Sequence, residues 1–189
     1  MKTIPPVKTA FFRVFFLSVL TVCLSSCRKV NPIEKSLKAQ TFAKTEKEET
    51  EVFFFISSVN VSTSIISKSQ IAQQKSSDVI VQELSKRIEI QQNQFLDEIT
   101  RLATSKLIVI TEIDGTHKRD LYNLIDAKEN DFNNVYLYAM KEKLCSQIDL
   151  LETISRETND KKILELVLRF LPEQFKLLRE TERIIKQSE

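Results

Sequence analysis

The stretch Val81-Gln-Glu-Leu-Ser-Lys-Arg-Ile-Glu-Ile-Gln-Gln-Asn-Gln-Phe-Leu-Asp-Glu-Ile-Thr-Arg-Leu102 sets Val81, Leu84, Ile88, Gln91, Phe95, Ile99 and Leu102 in steps of three and four. That spacing gathers the side chains into one seam, the pattern of a helix packed nearly parallel to its neighbours. Ser76-Ser-Asp78 lies just upstream and supplies N-cap oxygens, with Glu83 a little further in. At about 1.5 Å per residue the predicted helix is longer than about 30 Å. Gln91 is the polar interruption of the seam, so it must find hydrogen-bond partners or face a gap.

Working outward, roughly Glu51 to Lys75 places Val52, Phe55, Ile56, Val59, Thr63 and Ile66 at helical spacing and continues to Ile71 and Ala72. This predicts a first helix despite its β-branched and Ser content. One helix face cannot bury all of Phe53-Phe54-Phe55 unless neighbours cover several sides. An exposed pair there would mark a partner or membrane contact; core burial is the expectation.

On the other side, Lys106-Leu-Ile-Val-Ile-Thr-Glu-Ile113 is apolar and β-branched without helical phase, and Asp114-Gly115 follows as the strongest turn signal. An extended crossover laid over the helices is the reading. A short helix is expected over Lys118 to Lys128. Asn130-Asp131 then opens a third long helix carrying Phe132, Val135, Tyr136, Ala139, Met140, Leu144, Ile148, Leu151 and Ile154. The fourth begins near Asn159-Asp160 and carries Ile163, Leu166, Val167, Phe170, Leu171, Gln174, Leu178, Thr181 and Ile185. Pro172 inside it removes one backbone donor and predicts a kink. The fold class is therefore all-α, an antiparallel four-helix bundle with an extended crossover between helices two and three.

The N-terminal region reads differently. Lys2, Lys8 and Arg13 precede the uncharged run Val14 to Leu24, the layout of a secretory signal. The run is below the roughly 20 residues that span a bilayer. Leu24-Ser25-Ser26-Cys27 resembles the bacterial lipobox: an aliphatic residue, two small ones, then the cysteine that receives diacylglycerol. Cys23 is a poor competitor behind bulky Val22. Residues 1–26 are thus expected to be a signal peptide, with Cys27 the lipidated first residue of the mature protein. At about 0.8 kcal/mol per buried methylene, two or more acyl chains hold a protein to a membrane. Residues 27–50 are polar and read as a tether reaching about 25 Å, and residues 51–189 as the bundle domain. Arg28 after the cysteine favours sorting to the outer membrane, facing the periplasm.

Composition narrows the chemistry. Past the signal and Cys27 the one cysteine is Cys145, so no internal disulfide is available to the mature domain, and a lone thiol at a helical position reads as a small packed residue. A net charge of +2 with interleaved acids and bases implies no nucleic-acid surface. With one Gly in the chain, Walker A and Rossmann loops are excluded. His117 is the one histidine and reads as an exposed loop residue in Asp114-Gly-Thr-His117, which leaves no His for a nucleophilic triad. Glu83, Glu89, Glu98, Glu142, Asp149, Glu152, Glu165 and Glu173 mostly have Lys or Arg nearby and read as solvated surface.

Taken together, Ile71-Ala-Gln-Gln-Lys-Ser-Ser-Asp-Val79, Val81-Gln-Glu-Leu-Ser-Lys86, Phe132-Asn-Asn-Val-Tyr-Leu137 and Leu171-Pro172 resemble a ferritin-like family of bacterial envelope proteins, domain-of-unknown-function family 4142. The resemblance spans about Glu51 to Lys186. It implies a polar or metal-binding centre built from a Glu, an Asp-His pair and two further His, one on each long helix. At the corresponding positions this chain carries Ile65, Gln91-Gln92, Leu144 and Leu177. No Glu-x-x-His occurs, the spacing a di-iron bundle uses to bring two ligands to one metal. A divergent member without metal or other cofactor follows.

Gln91 is expected to make a register-fixing polar contact with Tyr136, Tyr138 or Gln174; the functional alternative is that Gln91, Gln92, Tyr136 and Gln174 are a vestigial polar site, the remnant of a ligand pocket at mid-bundle height. The expected function is a membrane-anchored periplasmic lipoprotein with a non-catalytic bundle, serving as an interaction or structural, stress-related module for an unknown protein partner. Two alternatives stand beside it: a metal-binding ferritin-like protein, and a binder of a small apolar ligand between the helices, the latter motivated by the Phe-rich first helix.

Overall fold

The computed structural model describes residues 46–110 and 115–188, with side chains over 48–110 and 119–188. The expected signal peptide, Cys27 and the tether up to residue 45 lie outside the described residues. Among the described residues five helices follow in order: α1 Glu46–Lys75, α2 Val79–Ser105, α3 Gly115–Ile125, α4 Glu129–Glu157 and α5 Lys161–Ser188. There is no strand among the described residues, and the domain is an all-α helical bundle.

Local chemistry explains most boundaries. Asp78 caps α2, its Oδ1 accepting from Ile80 N–H at 2.8 Å. Asp160 does the same for α5, accepting from Lys162 N–H at 2.8 Å and Ile163 N–H at 3.3 Å. α4 starts without a side-chain cap after Lys128, and Glu129 and Asp131 in its first turn oppose the positive end of the helix dipole. α1 begins at Glu46, five residues before the Glu51 expected, and takes the last five residues of the expected tether. The charged run Glu46-Lys-Glu-Glu-Thr50 lacks an apolar face, yet its three glutamates suit a helix N-terminus. α5 runs unbroken through Pro172.

The short helix also shifts, to Gly115–Ile125 from the expected Lys118 to Lys128. Gly115, expected in a turn, is therefore the first residue of a helix, consistent with the tolerance of Gly at helix N-termini. His117 falls inside α3 and not in a loop, with its side chain outside the described set.

α1 packs along α2 and α4, α5 packs along α4 and α2, and α3 rests on α1 and α4. Specific pairs fix the relative heights: Arg87 with Glu180, Gln92 with Gln174 and Arg169 with Glu98 join α2 to α5, the numbers on one helix rising as those on the other fall. The core divides into two clusters. One is mainly aliphatic, including Ile65, Leu84, Ile88, Leu144, Leu177 and Ile184. The other is ringed by phenylalanines, with Phe54, Phe55, Phe95 and Phe170 among Ile99, Leu151 and Ile163. Phe95 and Phe170 meet edge to face at 5.1 Å between centroids. Each fully buried side chain of this size contributes about 1.5–3 kcal/mol.

The phenylalanine run on α1 is thus split: Phe54 and Phe55 are buried, and Phe53 is 64% exposed. By length and composition α1 is apolar enough over Glu48–Lys75 to cross a membrane. Its contacts with three other helices account for that composition. After α2 the chain turns through Leu107, whose φ of 58° lies in the left-handed region, and leaves helical geometry. Ile108 and Ile110 pack against the phenylalanine cluster while Leu107 and Val109 face outward.

Candidate functional site

Between the two apolar clusters lies a layer of neutral polar side chains from all four long helices. On α2 it interrupts the run from Ile88 to Phe95, and on α4 the run from Leu144 to Leu151. On α5 it separates Phe170 from Leu177, and on α1 it separates Phe55 from Ile65. Gln92 Nε2 donates to Gln174 Oε1 at 2.7 Å, and both residues are fully buried. Ser62 Oγ donates to Gln147 Oε1 at 3.3 Å, again between fully buried partners. Five buried polar atoms have no hydrogen-bond partner among the described residues: Ser58 Oγ, Ser64 Oγ, Gln92 Oε1, Gln147 Nε2 and Gln174 Nε2.

Gln92, not Gln91, occupies the seam; Gln91 is half-buried. Steps of three then four and of four then three both connect Ile88 to Phe95, so periodicity alone does not choose between the two glutamines. Gln174 pairs with Gln92 and not with the expected Gln91. Tyr136 is fully buried but stands apart from the amides, its hydroxyl 3.2 Å from Ser69 Oγ. Burial pushes the Tyr136 phenol well above its ordinary value, opposed by hydrogen bonds with Ser69 and Ser85. It is a neutral hydroxyl at any physiological pH. Tyr138 is half exposed on the same helix.

Sequence reasoning missed Gln147, Ser58, Ser62 and Ser69. Their positions continue the inward seams of α4 and α1, and that continuity was the available signal. Small serines attract no notice when a seam is traced by large apolar residues.

At the positions where the family resemblance implies ligands, Ile65, Leu144 and Leu177 all belong to the aliphatic cluster with Ile88. None offers a donor atom. No group of three or more His, Cys, Asp or Glu comes together among the described residues. The charged group closest to the interior is Lys68, 3% exposed, with Nζ 3.8 Å from Asp120. Burial lowers the pKa of Lys68, with Lys143 nearby acting in the same direction and Asp120 against both. Cys145 is half-buried, and burial together with Asp149 pushes its thiol up, away from the reactive thiolate.

At one end of the bundle a charged network joins α1, α2 and α5. Lys106 Nζ lies 2.9 Å from Glu51 Oε2 and 2.6 Å from Asp160 Oδ2, and Thr158 Oγ1 donates to Glu51 Oε1 at 2.6 Å. Lys106 holds the Asp160 carboxyl below the usual carboxylate range, helped by the two backbone N–H groups at the start of α5.

These features define a class: a helical-bundle protein whose interior, among the described residues, is largely apolar and carries a mid-height layer of amides and serine hydroxyls, with Tyr136, Ser69 and Lys68 as further buried polar groups. Residues 37–184 match the family described as Domain of unknown function (DUF4142), and the chain belongs to that family. Among solved structures it is similar to the crystal structure of a DUF305 fragment from Deinococcus radiodurans, with a TM-score of 0.66 and 13% identity over 73% of this chain and 96% of that one. At that identity the likeness is one of fold. No curated protein matches the chain.

Proposed function

We propose that the protein is a lipid-anchored component of the bacterial envelope whose helical domain is a non-catalytic interaction or structural module. The observation that carries the non-catalytic part is the aliphatic centre: Ile65, Leu144 and Leu177 lie together where a reactive family member would need ligands, and the amide layer beside them is uncharged. A neutral amide layer neither abstracts protons at pH 7 nor supplies a nucleophile. Support for the anchor is the run Leu24-Ser-Ser-Cys27 behind a short apolar stretch.

The bundle itself is read as an antiparallel four-helix arrangement of α1, α2, α4 and α5. The opposed numbering of the cross-helix pairs supports this, as does the closing pair Lys141 with Glu182 at 3.0 Å between α4 and α5. The segment after α2 is read as the start of an extended crossover toward α3, supported by the alternation of inward Ile108 and Ile110 with outward Leu107 and Val109. Outer-membrane sorting follows from Arg28 and remains part of the same proposal.

The test is chemical. Mass spectrometry of the mature protein from expressing bacterial cells should find diacylglyceryl-modified Cys27 as its first residue, and Cys27→Ser should abolish incorporation of labelled palmitate. An unmodified chain cleaved elsewhere overturns the anchor. Stoichiometric iron, manganese or zinc in native protein overturns the non-catalytic module.

A further inference from the structure

The charged network of Glu51, Lys106, Thr158 and Asp160 marks the end of the bundle where α1 and α5 begin and α2 and α4 finish. Apolar side chains stand out from this end. Phe53 is 64% exposed, Val109 78% and Leu107 91%. Two grooves flank the first turns of α1. One of about 320 Å³ lies against α4, with Phe53, Phe54, Leu150 and Ile154 in its wall; the other, of about 510 Å³, has Val52, Leu107, Ile108 and Val109.

Leu107 is the least expected of these residues. Leu107 N–H donates to Thr104 C=O at 3.0 Å and Ile108 N–H to Ala103 C=O at 3.0 Å, the bonding pattern of a Schellman helix end. Its left-handed position favours Gly, which has no Cβ to strain. A Leu there accepts an unfavourable backbone conformation and turns its side chain into solvent.

We infer that this end of the bundle, presenting Phe53, Leu107 and Val109, docks against the lipid surface of the membrane that carries the anchor. The inference rests on the lipid anchorage at Cys27 proposed above. The chain from Cys27 joins the bundle at Glu46, at this same end, with only the 18 residues 28–45 between them. Tethering raises the effective concentration of lipid at the surface, so weak apolar contacts suffice. Charge does not drive the contact: exposed Arg101, Arg156, Lys161 and Lys162 are interspersed with exposed Glu48, Glu49 and Glu157. Docking should therefore be insensitive to salt and to anionic lipid. The opposite end also exposes Val79, Ile80, Tyr122 and Ile125, but the tether does not lead there.

The chain contains no Trp, so a single introduced indole reports its own surroundings. Full-length Leu107→Trp protein, its lipid on Cys27 first established by mass spectrometry, is reconstituted into phosphatidylethanolamine and phosphatidylglycerol vesicles. Its emission should shift to the blue, fall with brominated acyl chains and hold in high salt. A Tyr122→Trp control on α3 should keep water-like emission. Water-like emission at 107, quenched by iodide but not by brominated lipid, overturns the docking surface, as does stronger lipid quenching at 122. A shift that appears only when envelope proteins are included assigns the surface to a protein and also overturns the lipid. If Cys27 proves unmodified, the anchor fails separately, and the same two probes with added vesicles still decide the docking surface.

Discussion

Two polar assemblies in this bundle are built on opposite terms. In the middle, Gln92, Gln174, Gln147 and Ser62 are neutral, sealed from water and only partly hydrogen-bonded. At the end of the bundle, Glu51, Lys106 and Asp160 are charged, with side chains 18–27% exposed, and each has an oppositely charged partner within 2.9 Å. Moving an ion out of water costs several kcal/mol unless a partner and hydrogen bonds offset it. An unpaired neutral amide atom costs about 1–3 kcal/mol. The interior thus admits dipoles and keeps charge at the edge, where water shares the solvation. Lys68 is the exception, and burial lowers its pKa accordingly.

The comparison breaks hardest if charge is forced into the middle. Gln92→Glu should destabilise the fold by about 3–5 kcal/mol at pH 7, because Gln174 cannot balance the introduced charge. Burial raises the folded pKa of that carboxyl above its unfolded value. The loss is therefore absent well below the unfolded pKa and grows as pH rises through it. Urea denaturation from pH 4 to 8 reads this directly, and wild-type stability at pH 7 would remove the distinction between the two assemblies.

Next in size, Gln92→Ala should cost about 1–3 kcal/mol by leaving Gln174 without its partner. The double variant Gln92→Leu with Gln174→Leu removes both partners and should come within about 1 kcal/mol of wild type, or exceed it. A chemical-denaturation cycle measures the coupling.

The charged edge should respond more weakly. Lys106→Met should cost about 1 kcal/mol or less, and high salt should shrink the effect. Its pH dependence has two limbs. Asp160 has a folded pKa below its ordinary value of 3.8, so its contribution is present above that value and is lost as pH falls through the folded pKa. Burial works against the charged form of Lys106, but hydrogen bonds with Asp160 and Glu51 outweigh it and raise the pKa above 10.5. That contribution is present below 10.5 and lost as pH rises through the folded value. Asp160→Asn should flatten the acid limb while keeping the cap. Smallest of all, Leu107→Gly should stabilise by a few tenths to about 1 kcal/mol in thermal melts, since relief of left-handed strain exceeds the added freedom of the unfolded chain.

Where sequence pattern and local chemistry agree, the fold was readable. α2, α4 and α5 follow long seams, and Asp78 and Asp160 announce two of the starts. The start of α1 was not, because Glu46 to Thr50 enters the helix through charge and dipole without an apolar face. Gly115 misled for a related reason: a glycine that favours a turn is also tolerated at a helix start. The polar layer was legible only as a mismatch on one helix. Which glutamine turned inward, and that Ser62 and Gln147 join the layer from the other two helices, depends on how the helices sit against one another, and no single seam contains that. Ile65, Leu144 and Leu177 were legible through the family resemblance, and their gathering beside Ile88 is the part that coordinates supply.

The three-residue links 76–78 and 158–160 join α1 to α2 and α4 to α5, so each pair can form early and on its own. Both amide contacts of the middle layer then bridge one pair to the other: Gln92 to Gln174, and Ser62 to Gln147. If the pairs slide by a single turn, Gln92 loses Gln174 and meets Phe170 or Leu177 instead. A slipped stack would therefore forfeit the Gln92–Gln174 bond, a penalty that a uniformly oily interface would not impose.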